Sequence, residues 1–117
     1  MFMKYLNETD IGKAIDKLIK SMKTIGFEPV LEHDFSQQLI KQGKMPKIQC
    51  SVVQFKTNFK GNEVVINISL VKENDKILIT LPNLSRNLKM ILKDKNVTED
   101  ELKILEEKIK QTIKKLN

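Results

Sequence analysis

The residues best suited to chemistry in this chain are few. Glu32, His33 and Asp34 stand in succession, His33 is the only histidine, and Cys50 is the only thiol. A Glu-His-Asp run can hold a divalent ion or move a proton if its three side chains converge. In the stretch FEPVLEHDF, which reads as a short strand, successive side chains alternate, so Glu32 and Asp34 point one way and His33 the other. Two carboxylates without a second histidine make at most a weak hard-cation site, and no metal is expected. Cys50 lies in an apolar, alternating stretch and is expected to be a small buried residue. A nucleophilic pairing with His33 would require an exposed thiol of depressed pKa. One cysteine excludes an internal disulfide and a closed cysteine-based zinc site. The chain has no P-loop, no glycine-rich phosphate loop, no H-E-x-x-H and no G-x-S-x-G. The expectation is a protein that is not an enzyme and carries no cofactor.

Basic residues are the second candidate chemistry. Residues 36–95 hold ten Lys and one Arg against four acids, whereas residues 1–35 hold five Lys against six acids and residues 96–117 are balanced at five each. The net charge of +6 therefore belongs to the middle of the chain, which favours a polyanionic partner, DNA or RNA. In SVVQFKTNFKGN, parity puts Phe55 and Phe59 on the face of Val53, and Gln54, Lys56, Asn58 and Lys60 on the other. A surface that stacks bases needs aromatic and basic groups side by side, so these phenylalanines read as core and the lysines as phosphate contacts. At helical spacing after Pro82, Arg86, Lys89 and Lys93 form a basic stripe opposite Leu88, Ile91 and Leu92. Lys56, Lys60, Arg86, Lys89 and Lys93 are thus the candidate phosphate anchors, with Lys72 and Lys76 as possible extensions. Such a surface binds with little sequence preference and weakens steeply with salt.

A third set of residues is apolar and out of place. Ile104 projects from the seam of the last helix, while Val65, Val71 and Leu78 fall on the nominally polar face of their strands. If contiguous, they mark a protein partner surface or a homodimer interface.

The elements that position these residues follow from periodicity. Ile11, Ala14, Ile15, Leu18, Ile19, Met22 and Ile25 make one stripe of an amphipathic helix, with Thr9 to cap it, Asp10 in its first turn and Gly26 to end it. Pro29, near the start of the following strand, places it towards a sheet edge or gives it an irregular entry. SQQLIKQGK reads as a brief helical turn between Ser36 and Gly43, or a loop. Three strands follow: KIQCSVVQFKTNF, EVVINISLVK and KILITL, with turns at Lys60-Gly61-Asn62 and Glu73-Asn74-Asp75. In the first, Ile48, Cys50 and Val52 alternate on one face and Val53, Phe55, Thr57 and Phe59 on the other. A bulge at Val52-Val53 would bring both sets inward. A helix follows Pro82, and a last helix opens with a Thr98–Glu101 capping box and carries Leu102, Leu105, Ile109, Ile113 and Leu116 inward.

The expected fold is one α+β domain spanning residues 1–117. It comprises an antiparallel three-stranded meander plus an edge strand, an N-terminal helix and two C-terminal helices. No uninterrupted aliphatic run exceeds about three residues, far short of the ~20 that a membrane helix needs. With no secretory leader visible, a cytoplasmic protein is expected. Two functions fit: a small binding protein contacting nucleic acid through phosphates, or a protein-interaction module (adaptor, chaperone-like or inhibitory factor) acting as a homodimer.

Overall fold

The computed structural model describes residues 2–34, 49–73, 75–81, 86, 88 and 97–116. Seven elements are defined: β1 (Phe2–Leu6), α1 (Ile11–Lys23), β2 (Glu28–Asp34), β3 (Gln49–Phe59), β4 (Asn62–Glu73), β5 (Lys76–Leu81) and α2 (Glu99–Lys114). The class is α+β. The strands form one sheet in the order β1-β5-β4-β3-β2, every neighbouring pair antiparallel.

This order makes β1 and β2 the two edges, running parallel to one another, with α1 as the link between them. A helix of 13 residues at ~1.5 Å per residue is about 20 Å long, and five strands at ~4.8 Å spacing are about 19 Å from first axis to last. Because β1 and β2 run parallel, the link must also return along the strands, so α1 and its flanking residues together make the crossing from Leu6 to Glu28. Its buried residues Ala14, Ile15, Leu18 and Met22 repeat at helical spacing and lie on the sheet. Asp10, not Thr9, caps its start, accepting from the Lys13 amide, and Gly26 follows its end with φ +89°. Glu8 accepts from the amides of Thr9 and Asp10 and from Lys17 Nζ at 3.0 Å. The hydrogen bond from Lys17, then that from Asp10, holds its carboxyl below the usual glutamate range.

Strands β3 and β4 pair in unbroken register from Gln49↔Lys72 to Phe59↔Asn62. The connecting turn is the two residues Lys60 and Gly61, both at positive φ (51° and 83°), as a primed hairpin turn requires. Asn58 Oδ1 accepts from the Gly61 amide at 3.0 Å and secures it. Val53, Phe55, Val64, Ile66, Ile68, Leu70, Ile77, Ile79 and Leu81 all point to one face, where they meet α1 and the α2 residues Leu105, Ile109 and Ile113 in one buried cluster. Phe55 is fully buried and Phe59 half-buried against the same cluster, so parity does turn these aromatics inward.

Four features differ from the sequence reading. The first is β1, an additional edge strand that pairs with β5 from Phe2↔Leu81 to Leu6↔Ile77. The second is the expected bulge at Val52-Val53: β3 is regular there against β4, and the irregularity lies in β2, between Pro29 and Leu31. The third is Cys50, which is half-buried on the face away from the helices and not a core residue. No bulge is needed because that second face accommodates Cys50 and Val52 among other partly apolar neighbours. The fourth is the cap of α1 noted above. The SQQLIKQGK segment and most of the helix expected after Pro82 lie outside the described residues; Arg86 and Leu88 are helical, the former exposed and the latter buried.

The end of the chain is tied to both ends of the sheet. Thr98 and Glu101 form the capping box as spaced, each side chain bonding the other's backbone amide. Glu101 also ion-pairs with Lys60 of the hairpin turn. At the other end of α2, Lys4 Nζ donates to the Lys114 carbonyl at 2.6 Å, a cation at the negative end of the helix dipole. Lys114 Nζ in turn lies over the Phe2 ring, 5.8 Å from its centroid. Among the described residues no helix is long and apolar enough to cross a membrane.

Two outcomes follow for stability. Leu18→Ala empties a fully buried site between α1 and the sheet and should cost about 2–5 kcal/mol in denaturant unfolding, whereas Thr98→Ala should cost about 1 kcal/mol. Because the Glu8 carboxyl is held low when folded, its contribution is complete above the ordinary glutamate range and is lost as pH falls through the lowered value. NMR titration should find Glu8 below the ordinary range, and Lys17→Met should move it back up.

Candidate functional site: the uncovered face of the sheet

Both described helices pack on one side, so alternation leaves every second residue of the five strands on a face that no described element covers. The registers place them in rows that cross the strands. Tyr5 pairs with Leu78, Leu78 with Val71, and Val71 with Cys50, giving a continuous row over β1, β5, β4 and β3. The next row is Met3, Thr80, Ser69, Val52 and His33. The third is Asn67, Gln54 and Leu31, in which Gln54 Nε2 donates to Asn67 Oδ1 at 3.2 Å. Met3, Tyr5 and Leu31 are 57%, 64% and 59% exposed. The apolar residues are thus concentrated at the end of the sheet where β4 turns into β5. There a shallow hollow of about 170 Å³ lies among Tyr5, Val71, Glu73, Lys76 and Leu78. Lys76 Nζ sits over the Tyr5 ring, 5.7 Å from its centroid.

Of the candidate partner residues, Val65, Val71 and Leu78 all belong to this face, and Val71 and Leu78 touch as a cross-strand pair. Ile104 is 67% exposed but sits on α2, in the layer on the opposite side of the sheet. The four therefore do not form one surface. Tyr5 and Met3 belong to the patch and were missed by sequence reasoning. Their signal was the alternation in FMKYL, which leaves apolar groups on both faces of a five-residue strand.

The candidate phosphate anchors are dispersed. Lys56 is exposed on the uncovered face, but β2 places Glu28 directly opposite it, and Glu63 lines the same hollow with Gly26, Thr57 and Asn58. Lys60 is engaged with Glu101. Lys72 has the parity of the covered face and pairs with Ile77, whereas Lys76 has that of the uncovered face. Lys56 and Lys76 are eight residues apart along β4, about 26 Å at ~3.3 Å per residue. Arg86 is exposed, and Lys89 and Lys93 lie outside the described residues. Among the described residues, the candidate lysines Lys56, Lys60 and Lys76 do not form one contiguous basic surface.

The Glu-His-Asp run behaves as alternation requires. Glu32 opposes Val53 and Asp34 opposes Ser51 on the covered side, while His33 opposes Val52 on the uncovered side. Among the described residues no cluster of three His, Cys, Asp or Glu side chains can hold a metal ion. Burial, and secondarily the Asp34 carboxylate, push the Cys50 thiol above its ordinary range, the reverse of what a nucleophile requires.

No protein-family model matches the chain, and no curated protein sequence does. The chain is similar throughout to a solved structure, the crystal structure of an uncharacterized conserved DUF302 protein from Bacillus stearothermophilus. The likeness has a TM-score of 0.72 and 13% sequence identity, and it covers 100% of this chain and 99% of that one. At that identity the likeness is one of fold.

The thiol supplies a direct check. Cys50 should alkylate more slowly at pH 8 than an unhindered thiol, and Asp34→Asn should raise the rate modestly, because only the smaller of its two perturbations is removed. A rate faster than that of the free amino acid would contradict this environment.

Proposed function

We propose that this chain is a non-enzymatic protein-interaction module of the adaptor, chaperone-like or inhibitory kind, and that its working surface is the uncovered face of the sheet. The observation that carries this reading is the Tyr5–Leu78–Val71–Cys50 row, four strands wide, flanked by Met3 and Val52. Apolar groups scattered singly on a surface need no partner, but a contiguous patch rimmed by polar residues is the usual mark of one. The rim is present: Glu73 and Lys76 lie beyond one side of the row, Ser69 and Thr80 beyond the other. Tyr5 also has the character of an interface anchor, a large ring with a polar tip.

The reading in which nucleic acid is the partner is less well supported. It retains exposed Lys56 and Arg86, but Lys56 is beside Glu28 and Lys60 is committed to Glu101. A phosphate backbone approaching that end of the sheet meets carboxylates as well as ammonium groups.

Affinity capture with the wild-type chain and with a folded Tyr5→Glu/Leu78→Lys variant separates the two readings, run beside titrations of labelled single-stranded and duplex DNA and RNA at low and moderate salt. The expected result is a protein partner retained by the wild type at high salt and lost by the variant, with no measurable nucleic-acid binding. Salt-sensitive nucleic-acid binding, unaffected by Tyr5→Glu/Leu78→Lys but abolished by Lys56→Glu/Arg86→Glu, would overturn the proposal in favour of phosphate contacts.

A further inference from the structure

We infer that the protein occupying this face is a second copy of the chain, stacked sheet on sheet about a two-fold axis that runs along the strands between β4 and β5. The inference rests on the reading of the uncovered face as a protein-binding surface, and goes further in naming the occupant and its register.

The argument begins with what such an axis does to the rows. It exchanges β5 with β4 and β1 with β3. In the main row, Tyr5 then faces the second copy's Cys50, and Leu78 faces its Val71. In the neighbouring row, Met3 faces Val52 and Thr80 faces Ser69. Every larger side chain meets a smaller one, which is how facing layers interdigitate at the ~10 Å separation of packed sheets. The polar pair also meets itself. Glu73 and Lys76 oppose one another across β4 and β5 within a chain, and the same axis sets Lys76 over the second copy's Glu73 and Glu73 over its Lys76. Charge complementarity is thereby doubled, while Lys56, Glu28 and Glu63 lie toward the far end of the sheet, clear of the contact. An axis perpendicular to the strands would instead place unlike rows opposite each other and leave Glu73 and Lys76 facing the polar Gln54–Asn67 region.

The footprint sets the strength. Four overlapping strands are about 19 Å wide and six residue steps about 20 Å long, so roughly 400 Å² of projected area is covered on each copy. That is below the ~800 Å² per partner of a standard specific interface, so association is weak, reversible and concentration-dependent. As a self-complementary contact of one patch with itself, it closes at two copies.

Sedimentation over a concentration series at low and high salt tests the inference, together with thiol cross-linking by a short bismaleimide. Within one chain, Tyr5 and Cys50 are three strands apart, about 14 Å, and the same offset separates the two Cys50 residues of the dimer in addition to the sheet spacing. Wild-type chain should sediment as a monomer–dimer equilibrium that persists at high salt and should not cross-link. Tyr5→Cys should cross-link to dimers through Cys50, and the double variant Tyr5→Cys/Cys50→Ser should not. Lys76→Glu should weaken the dimer on the order of tenfold, and adding Glu73→Lys should restore it. A monomer at every concentration overturns the inference. So does a dimer in which wild-type Cys50 cross-links to itself or Tyr5→Cys fails to cross-link, since either places the axis elsewhere. If the chain is monomeric yet still captures another protein through Tyr5 and Leu78, the self-pairing fails while the protein-interaction reading stands.

Discussion

The structure depends on α1 burying its apolar stripe on one face of the sheet only. Ala14, Leu18 and Met22 are fully buried, as are Val53, Phe55, Ile68, Leu70, Ile77 and Ile79 beneath the helical layer. Apolar burial of this kind contributes about 25 cal/mol per Å² removed from water, and it outweighs any single hydrogen bond or ion pair in the molecule. Because side chains alternate, a register that buries Phe55 and Ile66 also fixes which residues must face away. The position of Leu78 and Val71 is therefore a consequence of the core and not an independent choice.

The polar contacts then complete an arrangement that the core has set. Glu101 serves two elements at once, capping α2 and pairing with Lys60 in the β3–β4 turn, while Lys4 and Lys114 hold the other end of α2 to β1. These contacts join exposed groups and are individually worth little. Their structural meaning is geometric: they align α2 with the long axis of the central hairpin, on the side away from the Tyr5 row. They also engage Lys60, one of the described cations in the basic middle of the chain.

Much of this was legible in the sequence because it is local. The stripe of α1, the alternation in β3, β4 and β5, the Thr98–Glu101 box and the inward parity of Phe55 each follow from residues a few positions apart. Pro29 alone suggested that β2 is an edge strand or has an irregular entry, and it has both features. β1 was not, because its partner is some 75 residues away at Ile77–Leu81, and nothing in FMKYL announces that pairing. The bulge was sought at Val52-Val53 on the assumption that apolar side chains must turn inward; the sheet instead tolerates them on its uncovered face and places its irregularity beside Pro29. Val65, Val71 and Leu78 could be identified as misplaced from parity, but their continuity with Tyr5 and Met3 required strand order. For the same reason, the separation of Lys56 from Lys76 and the engagement of Lys60 by Glu101 were invisible to composition.

The central claim is that function resides on the face that alternation leaves uncovered. Its most direct measurement is methyl NMR with a soluble paramagnetic probe across a dilution series, comparing Val71 and Leu78 with Ile68 in the core and Ile104 on α2. The account predicts that Val71 and Leu78 are broadened by the probe in dilute solution and become protected as concentration rises, while Ile68 stays protected and Ile104 stays exposed throughout. Protection of Ile104 in place of Val71 and Leu78 would contradict it. Val71 and Leu78 already protected at the lowest concentration would contradict it as well, because the face would then be covered within the single chain.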